Sequence, residues 1–185
     1  HFEAAIELER HCAASAPDGY HADLSDVMLL PIDSALGAFE AVVRRADDLL
    51  ARKRVSDTSS RLVTSIFRGG ALAQLGYLGE AEASLRAAVP QLTHATGSAG
   101  WTFNYVAYLL VRQGRLGDAA RILGCIDAFP GSAAFLRTPS GRRFYADAQA
   151  VVALGLSTDT LERLRSEGRV LTETEAIALV FPMRA

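Results

Sequence analysis

Apolar side chains recur at intervals of three and four residues along most of this chain, and no run of alternating apolar and polar positions persists. The clearest stretches are residues 58–75 and 99–113, and a glycine follows each of them. Intervals of three and four place side chains on one face of an α-helix, whereas alternation is typical of a strand. The pattern therefore predicts an all-α protein in which glycines mark helix ends.

A short phrase surrounds both glycines and recurs elsewhere in the chain. Residues 75–86 read LGYLGEAEASLR, residues 113–124 read QGRLGDAARILG, and residues 36–41 read LGAFEA. Residues 2–4 read FEA, which predicts a first repeat that lacks its opening helix. Self-similarity at intervals of about 40 residues is typical of stacked helical units. We expect a right-handed stack of antiparallel helix pairs, an α-solenoid of tetratricopeptide-like type.

The repeated phrase predicts a helix-turn-helix corner. Gly76 and Gly114 stand where a helix would end in the left-handed conformation, which glycine adopts without steric cost. Glu80 and Asp118 would fall in the first turn of the next helix, where a carboxylate interacts favourably with the helix dipole. The repeated phrase is therefore interpreted as part of the helical scaffold and not as a catalytic motif.

The phrase is not found after residue 137, where shorter helices are predicted over 139–155 and 159–167. A third helix opens with Thr172 and Glu175, which have the spacing of a capping box. We expect residues 1–137 to form the repeats and residues 138–185 to cap the stack within the same domain. Within the repeats, Pro31 is expected to end or kink a helix.

Composition narrows the classes of partner. The 185 residues are 50% hydrophobic and carry a net charge of −2, so no global basic excess draws the chain to nucleic acid or to an anionic membrane. No apolar run approaches the roughly 20 residues of a membrane span. Cys12 and Cys125 lie far apart, without disulfide or zinc spacing. We expect a cytoplasmic protein that contacts neither nucleic acid nor membrane directly.

The sequence contains no recognisable motif for catalysis or cofactor binding. Lys53 is the only lysine and stands in the sequence ARKR, so the chain contains no phosphate-binding loop of the GxxxxGK[ST] type. GxSxG, HExxH and GxGxxG motifs in a suitable context are also missing. The sequence therefore predicts a protein that is not an enzyme and has no catalytic, cofactor-binding or metal-binding residues.

Two clusters offer weaker alternatives. A metal site is one alternative, with His11, Cys12, His21 and Asp23 as ligands, although the spacing of these residues fits no single helix face. The basic stretch from Arg44 to Arg54 could contact nucleic acid, but Asp47 and Asp48 interrupt it. Such intermixed charges usually form a solvated helix face with ion pairs three and four residues apart.

The helical repeats predict a binding groove. In stacked two-helix repeats the first helices line the concave surface. Polar and aromatic residues of those helices form a candidate surface for a peptide carboxylate or an acidic segment. They are Arg61, Ser65, Arg68, Asn104, Tyr105, Tyr108, Arg142 and Arg143. The alternative is that the aromatic residues belong to the core and the arginines are merely solvated.

Residues 100–181 also resemble one particular family. The resemblance is carried in order by YLLVRQGRLGDAARILG at 108–124, DA at 127–128, RFY at 143–145, LERL at 161–164, EGRVLT at 167–172 and EAIAL at 175–179. The series is similar to the C-terminal end of bacterial signal-transduction ATPases that act as transcriptional regulators. In that family a DNA-binding domain and an ATPase domain precede a tetratricopeptide-like array.

The resemblance implies an interaction or sensing domain of a transcriptional regulator. Its partners would be proteins or peptides, among them other domains of the parent chain, and a small-molecule effector is also compatible. Two alternatives remain open: a free-standing tetratricopeptide-like adaptor without a transcriptional role, and an enzyme with an all-helical site.

Overall fold

The computed structural model describes residues 20–52, 58–89, 98–129 and 138–182, together with Glu7 and His11. These residues form helices and their connections, with no strand among them, which confirms the predicted all-α class. The chain divides into two compact units, residues 1–91 and 92–185. The predicted division at residue 137 falls inside the second unit, and the FEA copy at residues 2–4 lies outside the described residues.

The described part of the first unit contains four helices. They are α1 Tyr20–Leu36, α2 Phe39–Ala51, α3 Thr58–Leu75 and α4 Leu78–Ala88. Of the two outcomes expected at Pro31, a helix end is wrong, because α1 continues through it to Leu36. A proline inside a helix costs about 3 kcal/mol. Burial of Leu29, Leu30 and Ser34 around it offsets that cost, since all three lie at 2% exposure or less.

Five helices make up the described part of the second unit. They are α5 Ser98–Arg112, α6 Leu116–Ala128, α7 Pro139–Gly155, α8 Thr158–Arg169 and α9 Glu173–Val180. The predicted bounds of α5, α7 and α8 agree with these to within two residues. The capping box of α9 is also confirmed: the Thr172 hydroxyl accepts from the Glu175 backbone N–H at 3.3 Å, and the Glu175 carboxylate accepts from the Thr172 N–H at 2.9 Å.

Three corners share one backbone geometry. They are centred on Gly37, Gly76 and Gly114, whose φ angles are 79°, 91° and 75°. At each corner the glycine N–H donates to the carbonyl three residues earlier, at 3.1–3.3 Å, and the next N–H donates to the carbonyl five residues earlier, at 2.9 Å. This pair of bonds is the Schellman motif, which satisfies the last carbonyls of a helix. The corner prediction is confirmed at Gly76 and Gly114, and Gly37 belongs to the same series.

Each unit has its own apolar core. In the first unit, Phe39 and Val42 of α2 are buried with Ile66 and Phe67 of α3, and Leu85 of α4 fills the space beside Gly69. The core of the second unit is more aromatic. Among the described residues, its largest fully buried side chains are Phe103, Tyr105, Leu109, Leu110, Ile122, Leu123 and Phe144.

The second unit departs from a simple succession of helix hairpins at α8. This helix packs mainly along α6 and touches α7 only slightly, although a short turn at Leu156 and Ser157 joins it to α7. Gly124 of α6 and Gly168 of α8 let the two backbones approach closely, and Arg121 of α6 adds a hydrogen bond to Glu167 at 2.9 Å. The short turn therefore joins the end of α7 to the start of α8, and the two helices diverge beyond it.

Candidate functional site

The three candidate residues of α3 lie on one face of the helix but differ in role. Arg61 is exposed, whereas Ser65 is buried and its backbone carbonyl accepts a hydrogen bond from the Ser84 hydroxyl at 3.0 Å. Arg68 is 20% exposed; it lies 2.6 Å from a carboxylate oxygen of Asp47 in α2 and 3.9 Å from one of Glu80 in α4. Arg68 therefore ties three helices together, and only Arg61 faces solvent openly.

The candidate tyrosines of α5 belong to the core, which corrects the expectation that they line an open surface. The rings of Tyr105 and Tyr108 pack against Phe144 of α7, with centroid distances of 4.6 and 5.1 Å. The Tyr105 hydroxyl donates to Ser140 at 3.5 Å, and burial raises the pKa of Tyr105 far above its ordinary value. Both rings are buried because α7 covers them, as the alternative interpretation held.

Asn104 is fully buried, and within the described part of the chain neither its amide oxygen nor its amide nitrogen has a hydrogen-bond partner. A buried polar group without a partner costs about 1–3 kcal/mol. No hydrogen bond among the described residues therefore explains why an asparagine is buried at this position.

Arg142 and Arg143 stand in the first turns of α7 and are exposed. Arg143 lies 3.9 Å from the carboxylate of Asp147, one turn along the same helix. Arg142 makes no ion pair within the described part of the chain. Both arginines therefore lie on the exposed side of α7. Phe144 of the same helix packs against the buried tyrosines.

One cleft of the second unit was not found from the sequence. It lies between the diverging helices α7 and α8 and has a volume of about 550 Å³. Ala153 and Leu156 line it from α7 and the following turn, and one face of α8 lines it from the other side. That face consists of Thr158, Leu161, Glu162, Arg165, Ser166 and Arg169. Their spacing of three and four residues is visible in the sequence, but the divergence from α7 is not.

A hydrogen-bonded triad fixes one wall of this cleft. The Tyr145 hydroxyl donates to Asp127 at 2.6 Å and accepts from the Arg165 guanidinium at 2.8 Å, while Arg165 lies 3.4 Å from the second oxygen of Asp127. Burial, together with the bond to Asp127, raises the pKa of Tyr145 to about 12. The triad joins α6, α7 and α8, and it neutralises the charge of Arg165 internally.

Charges in the rest of the cleft are not compensated in this way. Glu162 and Arg169 are exposed, and neither forms an ion pair among the described residues. They stand seven residues apart on one face of α8, which is about 10 Å along a helix axis. The cleft therefore presents an acidic and a basic group about two turns apart along the wall that α8 forms.

A second, smaller cleft of about 280 Å³ lies in the first unit between α1 and α2. Arg45 lies 2.6 Å from Asp26 and 3.3 Å from Asp33, and Arg52 lies 3.1 Å from Asp26. Arg45 and Arg52 of this basic stretch thus pair with carboxylates of the preceding helix, α1. Arg44 remains at the rim of this cleft without an ion pair in the described residues.

The described residues contain no group of three or more histidine, cysteine, aspartate or glutamate side chains placed to hold a metal ion. Cys12 and the side chains of His21 and Asp23 lie outside the described set, so the metal alternative stays a prediction. Within the same set, no helix has the length and apolar character needed to cross a membrane.

No protein-family model matches this chain, and no curated protein or solved structure matches it either.

Proposed function

We propose that this chain is a non-catalytic helical-repeat domain that binds a protein partner and acts as a sensing element of a bacterial transcriptional regulator. The observation that carries the proposal is the recurrence of one corner geometry at Gly37, Gly76 and Gly114, positions separated by 39 and 38 residues. Corners that share φ angles and hydrogen bonds support units of one kind. Units of one kind stack into extended surfaces suited to binding.

Helix packing within each unit supports a tetratricopeptide-like arrangement. In the first unit α3 packs against both α1 and α2, and in the second unit α7 packs against both α5 and α6. A helix seated on the preceding pair is what a stack of two-helix repeats requires. We therefore propose a right-handed stack over residues 1–137, closed by residues 138–185.

The regulatory part of the proposal rests on the resemblance of residues 100–181 to the C-terminal end of signal-transduction ATPases. In such a protein, binding to the repeat domain would change how the array packs against the ATPase core. A ligand shifts a conformational equilibrium only as far as its affinities for the two states differ. The sensing role therefore needs an array that contacts the core differently in the two states.

The test uses the intact parent protein. ATPase rate and promoter affinity are measured with and without residues 1–185, and in a Gly124→Leu variant that disrupts the α6–α8 contact. A Gly79→Ala variant is the matched control, because a Cβ at Gly79 meets no atom within 4 Å. We expect the deletion and the Gly124 variant to change both activities. Unchanged ATPase rate and promoter affinity in the deletion variant would refute the regulatory role.

A free-standing adaptor is the second candidate. The corner geometry favours it equally, because it supports a binding scaffold without reference to transcription. The coding sequence immediately upstream of His1 distinguishes the two candidates: a parent chain without ATPase and DNA-binding domains favours the adaptor.

A further inference from the structure

A helix pair in this protein accepts a third helix on its surface. In the first unit α3 packs against the pair α1 and α2, and in the second unit α7 packs against the pair α5 and α6. The next pair, α7 and α8, carries no third helix among the described residues, because α9 packs against α5 and α6 instead. The groove between α7 and α8, which we call the seat, therefore has no helix on it among the described residues, and it differs from the two filled surfaces because α7 and α8 diverge.

The seat is already formed by contacts within the second unit. Gly124 and Gly168 hold α8 against α6, and the triad of Asp127, Tyr145 and Arg165 holds α7 and α8 at a fixed separation. A groove fixed in this way need not be ordered when a ligand binds, which lowers the cost of association.

The chemistry of the seat selects the occupant. Ala153, Leu156 and Leu161 form the apolar part of the lining, which we call its floor, and the other five lining residues are polar or charged. Along α8, Glu162 and Arg169 flank that floor without ion-pair partners in the described residues, and Arg165 is neutralised by Asp127. A helix with an apolar stripe would cover the floor, and a carboxylate and a cation two turns apart on that helix would face Arg169 and Glu162.

We propose that the α7–α8 groove binds one amphipathic helix of a partner protein that presents an acidic side chain to Arg169 and a basic side chain to Glu162. This inference rests on the proposed role as an interaction domain and names its site and the chemistry of its partner. The mode is helix-in-groove recognition, in which apolar anchors supply affinity and rim charges supply orientation and specificity.

The test uses the chain of 185 residues and a fluorescein-labelled synthetic helical peptide. The peptide carries leucines at positions i, i+3, i+4 and i+7, with a glutamate and a lysine seven residues apart on the flank of that stripe. Binding is measured by fluorescence anisotropy, and the site is located by amide chemical shifts. We expect saturable binding with shifts that centre on α8 and the end of α7.

Two protein variants locate the site. Ala153→Arg fills the groove from an exposed helix position and should weaken peptide binding at least about tenfold, whereas Ala150→Arg, exposed on the same helix outside the groove, should leave it unchanged. Arg169→Glu should weaken binding about fivefold, as expected when a rim ion pair becomes a repulsion. A peptide with lysine in place of its glutamate should recover that loss.

Three outcomes would overturn the proposal. The first is the absence of saturable binding up to about 1 mM peptide. The second is equal binding of the peptide by the Ala153→Arg and Ala150→Arg proteins. The third is self-association that Ala153→Arg abolishes, because that result would assign the seat to a second copy of the chain. The two proposals fail separately. A lost peptide site leaves the effect of deleting residues 1–185 on the parent intact, and an ineffective deletion leaves peptide binding intact.

Discussion

Gly124 and Gly168 face each other across the α6–α8 interface in a reciprocal arrangement. A Cβ at Gly124 would lie within 3 Å of the backbone of Arg165, three residues before Gly168, and a Cβ at Gly168 would lie within 3 Å of the backbone of Arg121, three residues before Gly124. Backbone atoms cannot move aside as flexible side-chain ends can. The two glycines therefore decide that α8 lies on α6, and so they decide that the groove beside α7 exists.

Substitution of either glycine should be strongly destabilising. Gly124→Ala and Gly168→Ala should each lower the free energy of unfolding by about 1–3 kcal/mol or more, because the helices must separate to admit the methyl group. The measurement is urea denaturation followed by circular dichroism. Gly117→Ala in α6 is the control, since the atoms nearest to its Cβ are 3.7 and 3.8 Å away. Equal midpoints for Gly124→Ala and Gly117→Ala would contradict the close approach.

A corner glycine and its neighbour in the same phrase should respond in opposite directions. Gly76→Ala forces alanine to a φ of 91° and should cost about 1–2 kcal/mol of stability. Gly79→Ala, three residues later in the first turn of α4, has open space around its Cβ and should stabilise by about 0.5–1 kcal/mol. Thermal denaturation of both variants gives the comparison. A stabilising Gly76→Ala would show that the left-handed corner does not form.

The corner residue Arg115 should control the order of α9. Its guanidinium donates to the carbonyls of Leu179 and Val180 at 3.0 and 3.2 Å and pairs with Asp118 at 2.8 Å, which places a cation at the end of the α9 dipole. Arg115→Met should reduce hydrogen-exchange protection across α9 by about 1–2 kcal/mol and leave the core of α5 protected.

The matched control for that experiment is Arg142→Met, which removes an exposed arginine without an ion pair in the described residues. This variant should retain the protection of α9. If α9 exchanges at the same rate in the wild type and in Arg115→Met, the guanidinium does not hold the helix.

The Cys125 thiol should resist modification in the folded protein. It is 1% exposed, and burial, with a smaller contribution from the nearby Glu173 carboxylate, raises its pKa from 9.0 to about 11. Because the thiolate is the reactive form, a Cys12→Ser protein should react slowly with a disulfide reagent at pH 8 and rapidly once unfolded. Fast reaction of the folded protein would show that the second unit opens around α6.

The same shift gives a pH dependence. The thiol has a higher pKa in the folded state than in the unfolded state, so its contribution to stability is complete below pH 9 and is lost as the pH rises towards 11. A Cys125→Ala protein should show a smaller loss of stability between pH 9 and pH 11, measured by urea denaturation.

Features that depend on neighbouring residues in the chain were predictable. Gly76 and Gly114 end helices because only a residue without a side chain adopts their φ angles at little cost, and Thr172 caps α9 because its hydroxyl reaches a backbone N–H three residues away. The continuation of α1 through Pro31 has a physical reason as well. Proline disfavours the interior of a helix, but burial of the surrounding residues in the first unit outweighs this local preference.

The candidate site was harder to predict because exposure depends on elements distant in the chain. The spacing of Tyr105 and Tyr108 places them on one helix, but Phe144 of α7 decides that they are buried. The sequence predicts that Arg68 lines a groove, but Asp47 and Glu80 of the flanking helices form ion pairs with it. A side chain's own sequence neighbourhood does not say which partner will cover it.

The sequence by itself determined the helices, their corners and the interval at which the corners recur, since these follow from backbone conformation and hydrogen bonds over a few residues. Only the tertiary structure decided that α8 would pack on α6 and leave a groove beside α7. That choice depends on Gly124 and Gly168 meeting across an interface between helices far apart in sequence, and on the Tyr145 bridge that holds the groove's width.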